Sequence, residues 1–409
     1  MNKIPELLCP AGDEEQLKAS VEYGADAVYL AGKGYGMRAG AGNFDAEQMK
    51  QAVAYAHAHG VKVYVTCNTV PTNDEINHIE DYLKACADAG VDAFIISDMG
   101  VLTVAKAAAP QVPIHISVQA GIVNWRAAKT FYELGAKRVV LARELSFEEI
   151  AEIRAKVPAD LEIECFVHGA VCVSFSARCL LSAYMTGRDA NRGDCAQSCR
   201  WSYSLMEEKR PGQYFDITES DKGTHILNAD DMCMAQYIDK LCAAGIDSIK
   251  IEGRAKSGYY AAVCANANRC ALDSYKNADG DWHLPDWIAE ELEKISHRRY
   301  STGFYFGRPS AAQNFATASY VRSYSVAAVV SGYEDGMVLA TLKNKFAAGT
   351  ELDALIAGEK PYLFKADPLY DQKGNALMDA CHPMMTIKIP CERELPVGTM
   401  LRMKMQDIE

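Results

Sequence analysis

The sequence predicts an α/β protein: a (β/α)8 TIM-type barrel followed by a small C-terminal all-β domain. Three observations carry this expectation. A unit in which a helix ends at glycine and runs into a short β-rich strand recurs along the first 251 residues; eight strands can be counted there; and beyond about residue 320 short β-rich runs follow one another with no helices between them.

The first strand is Glu6 to Cys9. The recurring unit then appears as Tyr23-Gly24-Ala25-Asp26-Ala27-Val28-Tyr29-Leu30, Ala89-Gly90-Val91-Asp92-Ala93-Phe94-Ile95-Ile96, Leu134-Gly135-Ala136-Lys137-Arg138-Val139-Val140-Leu141 and Ala244-Gly245-Ile246-Asp247-Ser248-Ile249-Lys250-Ile251. In each, glycine caps a helix and a buried parallel strand begins. Between them lie the strands Val61 to Thr66, Val112 to Ser117 and Leu161 to Val167, spaced by amphipathic helical segments such as Ala46 to His59 and Ile76 to Ala89. Eight parallel strands alternating with helices fit a closed barrel better than a doubly wound sheet, which often opens on a glycine-rich nucleotide turn. The first turn here, Cys9-Pro10-Ala11-Gly12-Asp13, is no such fingerprint.

At 409 residues the chain exceeds the roughly 250 that one core usually organises, so two domains are expected. The barrel would occupy 1–310, with a cysteine-rich insertion at about 168–235, and the β-domain 320–409. An insertion that long after the seventh strand is usually functional, and it falls at the C-terminal face where barrel enzymes keep their active sites. The tail segments Val321 to Val330, Gly336 to Leu342, Thr350 to Ile356, Pro361 to Phe364, Met384 to Ile389 and Gly398 to Met405 suit a small antiparallel barrel or sandwich.

Composition narrows the function. A net charge of -12 excludes a surface that holds nucleic acid by bulk phosphate attraction, so any RNA contact must come from a local patch. Arg188, Arg192, Arg200, Lys209 and Arg210 supply such a stretch, though charge runs are usually solvated faces. No export signal and no spanning segment are evident, which predicts a cytoplasmic protein with reduced thiols. Of the fourteen cysteines, Cys67, Cys86, Cys165, Cys242, Cys264 and Cys270 stand singly in apolar runs and read as small buried hydrophobes. Five others crowd together as Cys172-x6-Cys179, Cys195-x3-Cys199 and Cys233. Zinc usually takes close CxxC pairs, which are missing here; thiolates from an irregular segment suit an iron–sulfur cluster better. Arg178, Arg188, Arg192 and Arg200 interleave with them, and cationic neighbours favour the thiolate.

The runs His168-Gly169-Ala170-Val171-Cys172-Val173-Ser174-Phe175-Ser176-Ala177-Arg178-Cys179, Asn191-Arg192-Gly193-Asp194-Cys195-Ala196-Gln197-Ser198-Cys199-Arg200 and Ile251-Glu252-Gly253-Arg254 resemble the signature of peptidase family U32. Further matches are Glu6-Leu7-Leu8-Cys9-Pro10-Ala11-Gly12, Arg38-Ala39-Gly40-Ala41-Gly42-Asn43-Phe44 and Thr302-Gly303-Phe304-Tyr305-Phe306-Gly307. The resemblance implies an oxygen-independent hydroxylase acting on the tRNA wobble uridine, with ribosomal RNA cytidine or a collagenase-like peptidase activity as alternatives. It implies a 4Fe-4S cluster on Cys172, Cys179, Cys195 and Cys233, with Cys199 able to replace Cys195, and a dependence on prephenate, a dicarboxylate.

Polar groups at strand ends supply the remaining candidates: Asn68, Asp98, Gln119, Arg143, Glu144, Glu252 and Arg254. Arg143 and Arg254 are the expected anion binders, since a guanidinium fork matches carboxylate or phosphate in two-point geometry. His168 could serve as a base, or simply as a structural hydrogen bonder. No His-Glu-x-x-His helix and no recognisable hydrolytic triad support a peptidase.

Overall fold

The computed structural model describes residues 2–37, 41–172, 174–175, 178–201, 219–220, 223–224, 230–307 and 321–405. The expected Lys209 and Arg210 of the basic stretch, and Arg38, Ala39 and Gly40 of the Arg38-to-Phe44 motif, lie outside them.

The strands β1 (Glu6–Pro10), β2 (Ala27–Leu30), β3 (Lys62–Cys67), β4 (Ala93–Ile96), β5 (Ile114–Ile116), β6 (Arg138–Val140) and β7 (Glu162–Ala170) follow one another in parallel. After a short strand β8 (Asp231–Cys233), β9 (Ser248–Ile251) pairs in parallel with both β7 and β1, which closes an eight-stranded barrel. The four glycines of the recurring unit, Gly24, Gly90, Gly135 and Gly245, all have φ between 75° and 102°, the left-handed conformation that ends a helix and turns the chain into the next strand.

Two local features depart from the sequence reading. The expected helix from Ile76 to Ala89 divides into Asn73–Ile76 and Ile79–Asp88, because Thr72 and Glu75 form a capping box that starts a separate turn. The seventh strand runs past Val167 to Ala170, and β8 pairs with this extension antiparallel, setting Cys233 opposite His168. The insertion therefore begins inside a strand. Its described part holds the short helix Leu181–Thr186, two single turns, Ala190–Arg192 and Ser198–Arg200, and a short antiparallel pairing of Glu219–Ser220 with Gly223–Thr224.

Inside the barrel, Leu8, Ala27, Tyr29, Tyr64, Ala93 and Ile95 form an apolar cluster. Beside it runs a buried ion network in which Arg138 pairs with Glu6 (2.7 Å), Glu162 (2.7 Å) and Glu164 (3.0 Å), and Glu164 also accepts from Lys250 (3.0 Å). Burial works to raise the Glu6 carboxyl, but the Arg138 charge and hydrogen bond outweigh it and hold the group below its ordinary range.

A second compact unit comprises 285–296 and the described residues 321–405. Its sheet is antiparallel, with strands in the order Tyr362–Lys365, Glu351–Leu355, Met400–Lys404, Tyr324–Glu334, Met337–Leu342, Thr386–Pro390, Leu369–Asp371 and Ala376–Leu377. Helix Asp286–Leu292 belongs to this unit, anchored by fully buried Arg402, which pairs with Glu291 at 2.7 Å and with Asp353. Among the described residues, no helix is long and apolar enough to cross a membrane.

Candidate active site

A cavity opens at the C-terminal ends of the barrel strands. It is lined by Tyr29, Met37, Thr66, Asn68, Ile95, Ser117, Val118, Gln119, Arg143, Phe166, Lys250, Glu252 and Arg254. Strand periodicity explains the last three: residues 250, 252 and 254 alternate onto the inward side of β9 and its continuation.

The charged groups and Asn68 of the lining are held by the strands and loops around them. Arg254, 3% exposed, donates from Nη1 to Thr66 Oγ1 (2.9 Å) and from Nη2 to the Met37 carbonyl (2.8 Å). Its own carbonyl is covered by Gly12, where an added Cβ would stand 2.0 Å from the oxygen. Arg143 donates to the Ala170 carbonyl (3.2 Å), lies 3.5 Å from the Glu252 carboxylate, and stacks its guanidinium 3.9 Å over the Phe166 ring. Asn68 spans the rim, accepting from the Met37 N–H (3.2 Å) and donating to Ser117 Oγ (3.3 Å). Lys250 sits with its Nζ 3.0 Å from Glu164 and 4.4 Å from the Tyr29 ring centroid; burial, the largest influence, pulls its pKa down despite Glu164. Among the described residues the lining thus carries three cations and one carboxylate, with no histidine and no cysteine. Such a set of cations can bind and orient an anion.

Arg143, Glu252, Arg254, Asn68 and Gln119 are thereby brought together as the strand-end reading expects. Asp98 instead caps helix Met99–Ala108, accepting from the Val101 N–H at 3.0 Å, and Glu144 is not among the lining residues. His168 does not line the cavity either. It is buried against Tyr260 (6.0 Å between ring centroids) and Tyr300 (5.5 Å), and neither ring nitrogen has a hydrogen-bond partner among the described residues. Burial pushes its pKa down to about 4, so the ring is neutral near pH 7. Lys250 is a lining residue that the strand-end reading does not name, because Ser248-Ile249-Lys250-Ile251 reads as a plain buried strand; a lysine at an inward position of a closed barrel is the available signal.

The cysteine insertion reaches this rim. Arg178 donates from Nε to the Gln119 carbonyl (2.7 Å), and Phe175 packs by Gly121. Cys179 and Cys195 each accept a backbone N–H two residues on, from Leu181 and Gln197, both at 3.3 Å. Asn191 brackets Cys179, accepting from its N–H (3.1 Å) and donating to its carbonyl (2.9 Å), while Ser182 Oγ accepts from Ala196 next to Cys195 (2.9 Å). Backbone N–H groups aimed at sulfur stabilise thiolate, so the donor chemistry fits a cluster ligand set. Cys172, Cys179, Cys199 and Cys233 are half-buried and Cys195 is exposed, whereas Cys67, Cys86, Cys165, Cys264 and Cys270 are buried and Cys242 half-buried. Burial raises the thiol pKa of Cys86 and Cys242 to about 11 and of Cys67, Cys165 and Cys264 further, which suits inert core thiols. Among the described residues, however, no three His, Cys, Asp or Glu side chains stand where they could hold a metal ion, so Cys172, Cys179, Cys195 and Cys233 are not gathered around one point.

Comparison with known proteins gives this site its context. A family model described as peptidase family U32 matches residues 12–314, and one described as the peptidase family U32 C-terminal domain matches 322–402. A tRNA hydroxylation protein of Bacillus subtilis (strain 168) is 37% identical over 98% of this chain and 95% of its own length. The tRNA hydroxylation protein P of Escherichia coli (strain K12) is 34% identical over 98% of this chain and 96% of that one. A 23S rRNA 5-hydroxycytidine synthase of Escherichia coli (strain K12) is 33% identical over 87% of this chain and 53% of its own. With both of its units matched and its sequence aligned end to end with such relatives, the chain belongs to peptidase family U32.

Proposed function

We propose that this protein is an RNA hydroxylase of the cytoplasm, acting on the tRNA wobble uridine to form 5-hydroxyuridine. The observation that carries the reading is the cavity itself, with Arg143, Arg254 and Lys250 at the barrel mouth and, among the described residues, no histidine or cysteine in its lining. The extended identity to proteins named for tRNA hydroxylation supports tRNA over ribosomal RNA, since the ribosomal relative is matched over only 53% of its length.

In this reading a 4Fe-4S cluster would be held by Cys172, Cys179, Cys195 and Cys233, with electron transfer as the chemistry it supplies. The N–H···S contacts at Cys179 and Cys195 and the tie from Arg178 to Gln119 support a cluster beside the cavity. Arg143 and Arg254 would take a small carboxylate such as prephenate, and Glu252 orients Arg143 through their 3.5 Å contact.

The test is purification without oxygen followed by iron and sulfide assay, with nucleoside analysis of tRNA from a deletion strain complemented by wild type or Cys195→Ala. The expected result is a brown protein whose hydroxylated uridine disappears in the variant. A colourless zinc protein that cleaves gelatin equally well with and without Cys195, while tRNA lacks the hydroxyl in both strains, would establish the peptidase instead.

A further inference from the structure

Lys250 differs from the two arginines of the cavity. It projects from a barrel strand rather than a loop, is only 5% exposed at its side chain, and makes one hydrogen bond among the described residues, to Glu164 Oε1 at 3.0 Å. The other oxygen of Glu164 serves Arg138 (3.0 Å) and Ser248 (3.2 Å). The ammonium lies against the faces of Tyr29 and Phe166, 4.4 and 5.4 Å from their centroids. A primary amine is therefore fixed in an apolar wall of a cavity that also holds two guanidinium groups.

We propose that Lys250 is a catalytic residue that forms a Schiff base with the carbonyl carbon of a small 2-oxo acid, the carboxylate of that acid being held by Arg143 and Arg254. The proposal rests on the reading of the cavity as an anion site, but not on RNA as the substrate. The step balances without a redox partner: the ammonium and the carbonyl give an iminium and one water. The new C–N bond replaces the C–O double bond, two of the three nitrogen protons leave on the oxygen, and the positive charge stays on nitrogen. Glu164 thus faces a cation before and after, so the buried network with Arg138 is not unbalanced by the reaction.

Three features favour this over a purely electrostatic lysine. Burial lowers the pKa of Lys250, which raises the fraction of free amine, the nucleophilic form. Aromatic faces on two sides exclude the water that would hydrolyse an iminium. The accessible volume of the cavity, about 50 Å³, is several times the roughly 10–15 Å³ that a single water needs, so it has room for a ligand at Lys250.

The experiment uses the whole chain, pyruvate as the probe, and cyanoborohydride to trap the iminium, read by intact mass and peptide mapping. One reduced carboxyethyl group mapping to Lys250 is expected, absent in Lys250→Arg, which keeps the charge and serves as the folding control. At sub-saturating pyruvate, Arg254→Gln should label about tenfold less. Labelling spread over surface lysines, equal in wild type and Lys250→Arg, overturns the proposal, as does an unlabelled Lys250 in the wild type. If Lys250 is labelled equally in Arg143→Gln, Arg254→Gln and wild type, the Schiff base stands and the two-arginine anion site falls.

Discussion

The substitution Gly12→Ala tests how the cavity is positioned. Gly12 ends the Glu6-to-Gly12 motif, and its N–H donates to Gln16 Oε1 at 2.7 Å. A Cβ at this position would stand 2.0 Å from the Arg254 carbonyl oxygen and 3.0 Å from its carbonyl carbon, both backbone atoms that no rotamer change can remove. An ordinary C···O contact is about 3.3 Å, so the Arg254 backbone must retreat by roughly 1.3 Å. Overpacking of that kind costs about 1–3 kcal/mol, several degrees of Tm for the barrel. The larger effect falls on function. A 1.3 Å displacement pulls the guanidinium off Thr66 and the Met37 carbonyl, and misplacement of about 1 Å at a reacting centre costs on the order of a hundredfold in rate. The assay pairs thermal unfolding with hydroxylated uridine in tRNA and with pyruvate trapping. Gly34→Ala is the control, because nothing lies within 4 Å of its Cβ position. If Gly12→Ala matches Gly34→Ala in Tm and in both activities, Arg254 is not positioned by this contact and the reasoning fails.

Three other outcomes follow from the buried groups. Glu164→Leu leaves Arg138 short of one of its three carboxylates and Lys250 without its partner, which should cost about 3–5 kcal/mol in urea unfolding; a loss within error of zero would mean the network is not closed in solution. His168 is held down to about pKa 4 in the fold against about 6.5 unfolded, so its neutral form is stable above pH 6.5. As pH falls from 6.5 towards 4 the unfolded chain takes up the proton first, and roughly 3 kcal/mol of stability should be lost, a component that His168→Phe removes from the pH profile of chemical denaturation. Arg402→Met leaves Glu291 and Asp353 sharing Lys294 alone, and hydrogen exchange should report loosening of helix Asp286–Leu292 and strand Glu351–Leu355. Wild-type protection in both segments would contradict it.

What could be read in advance divides along physical lines. Glycine-ended helices and short apolar strands are local signals, and all eight strands stand where the pattern puts them. The pairing of β8 with the end of β7 is not local. His168-Gly169-Ala170 resembles a loop, and its partner Asp231-Met232-Cys233 lies about sixty residues on, so only the folded chain shows that His168 faces Tyr260 and Tyr300 rather than the cavity. The assignment of helix Asp286–Leu292 to the second unit rests on Glu291 meeting Arg402 across 111 residues. Lys250 was open to inference, because inward positions of β9 recur every second residue, but its environment of Glu164, Tyr29 and Phe166 comes from two other strands, β7 and β2.

The motifs that mark the family have a common physical role once placed. Gly12, Gly169 and Gly253 come from three separate stretches, and each makes room for a backbone or ring at one short segment. An added Cβ would meet the Arg254 oxygen at 2.0 Å, the Glu252 oxygen at 2.4 Å and the Tyr260 ring at 2.8 Å, respectively. The Glu252 N–H donates to the His168 carbonyl at 2.8 Å, and Gln16 donates to the Gly253 carbonyl at 3.0 Å. Residues 252–254 are therefore clamped from both sides by the first turn and by the end of β7. That clamp gives His168 a reason to sit in its motif without touching substrate: its backbone carbonyl aligns Glu252, and its neutral ring fills the space against Tyr260. On this argument His168→Phe, which keeps backbone and bulk, should retain trapping at Lys250, whereas Gly169→Ala should lose it. The opposite result would return His168 to the chemistry of the site.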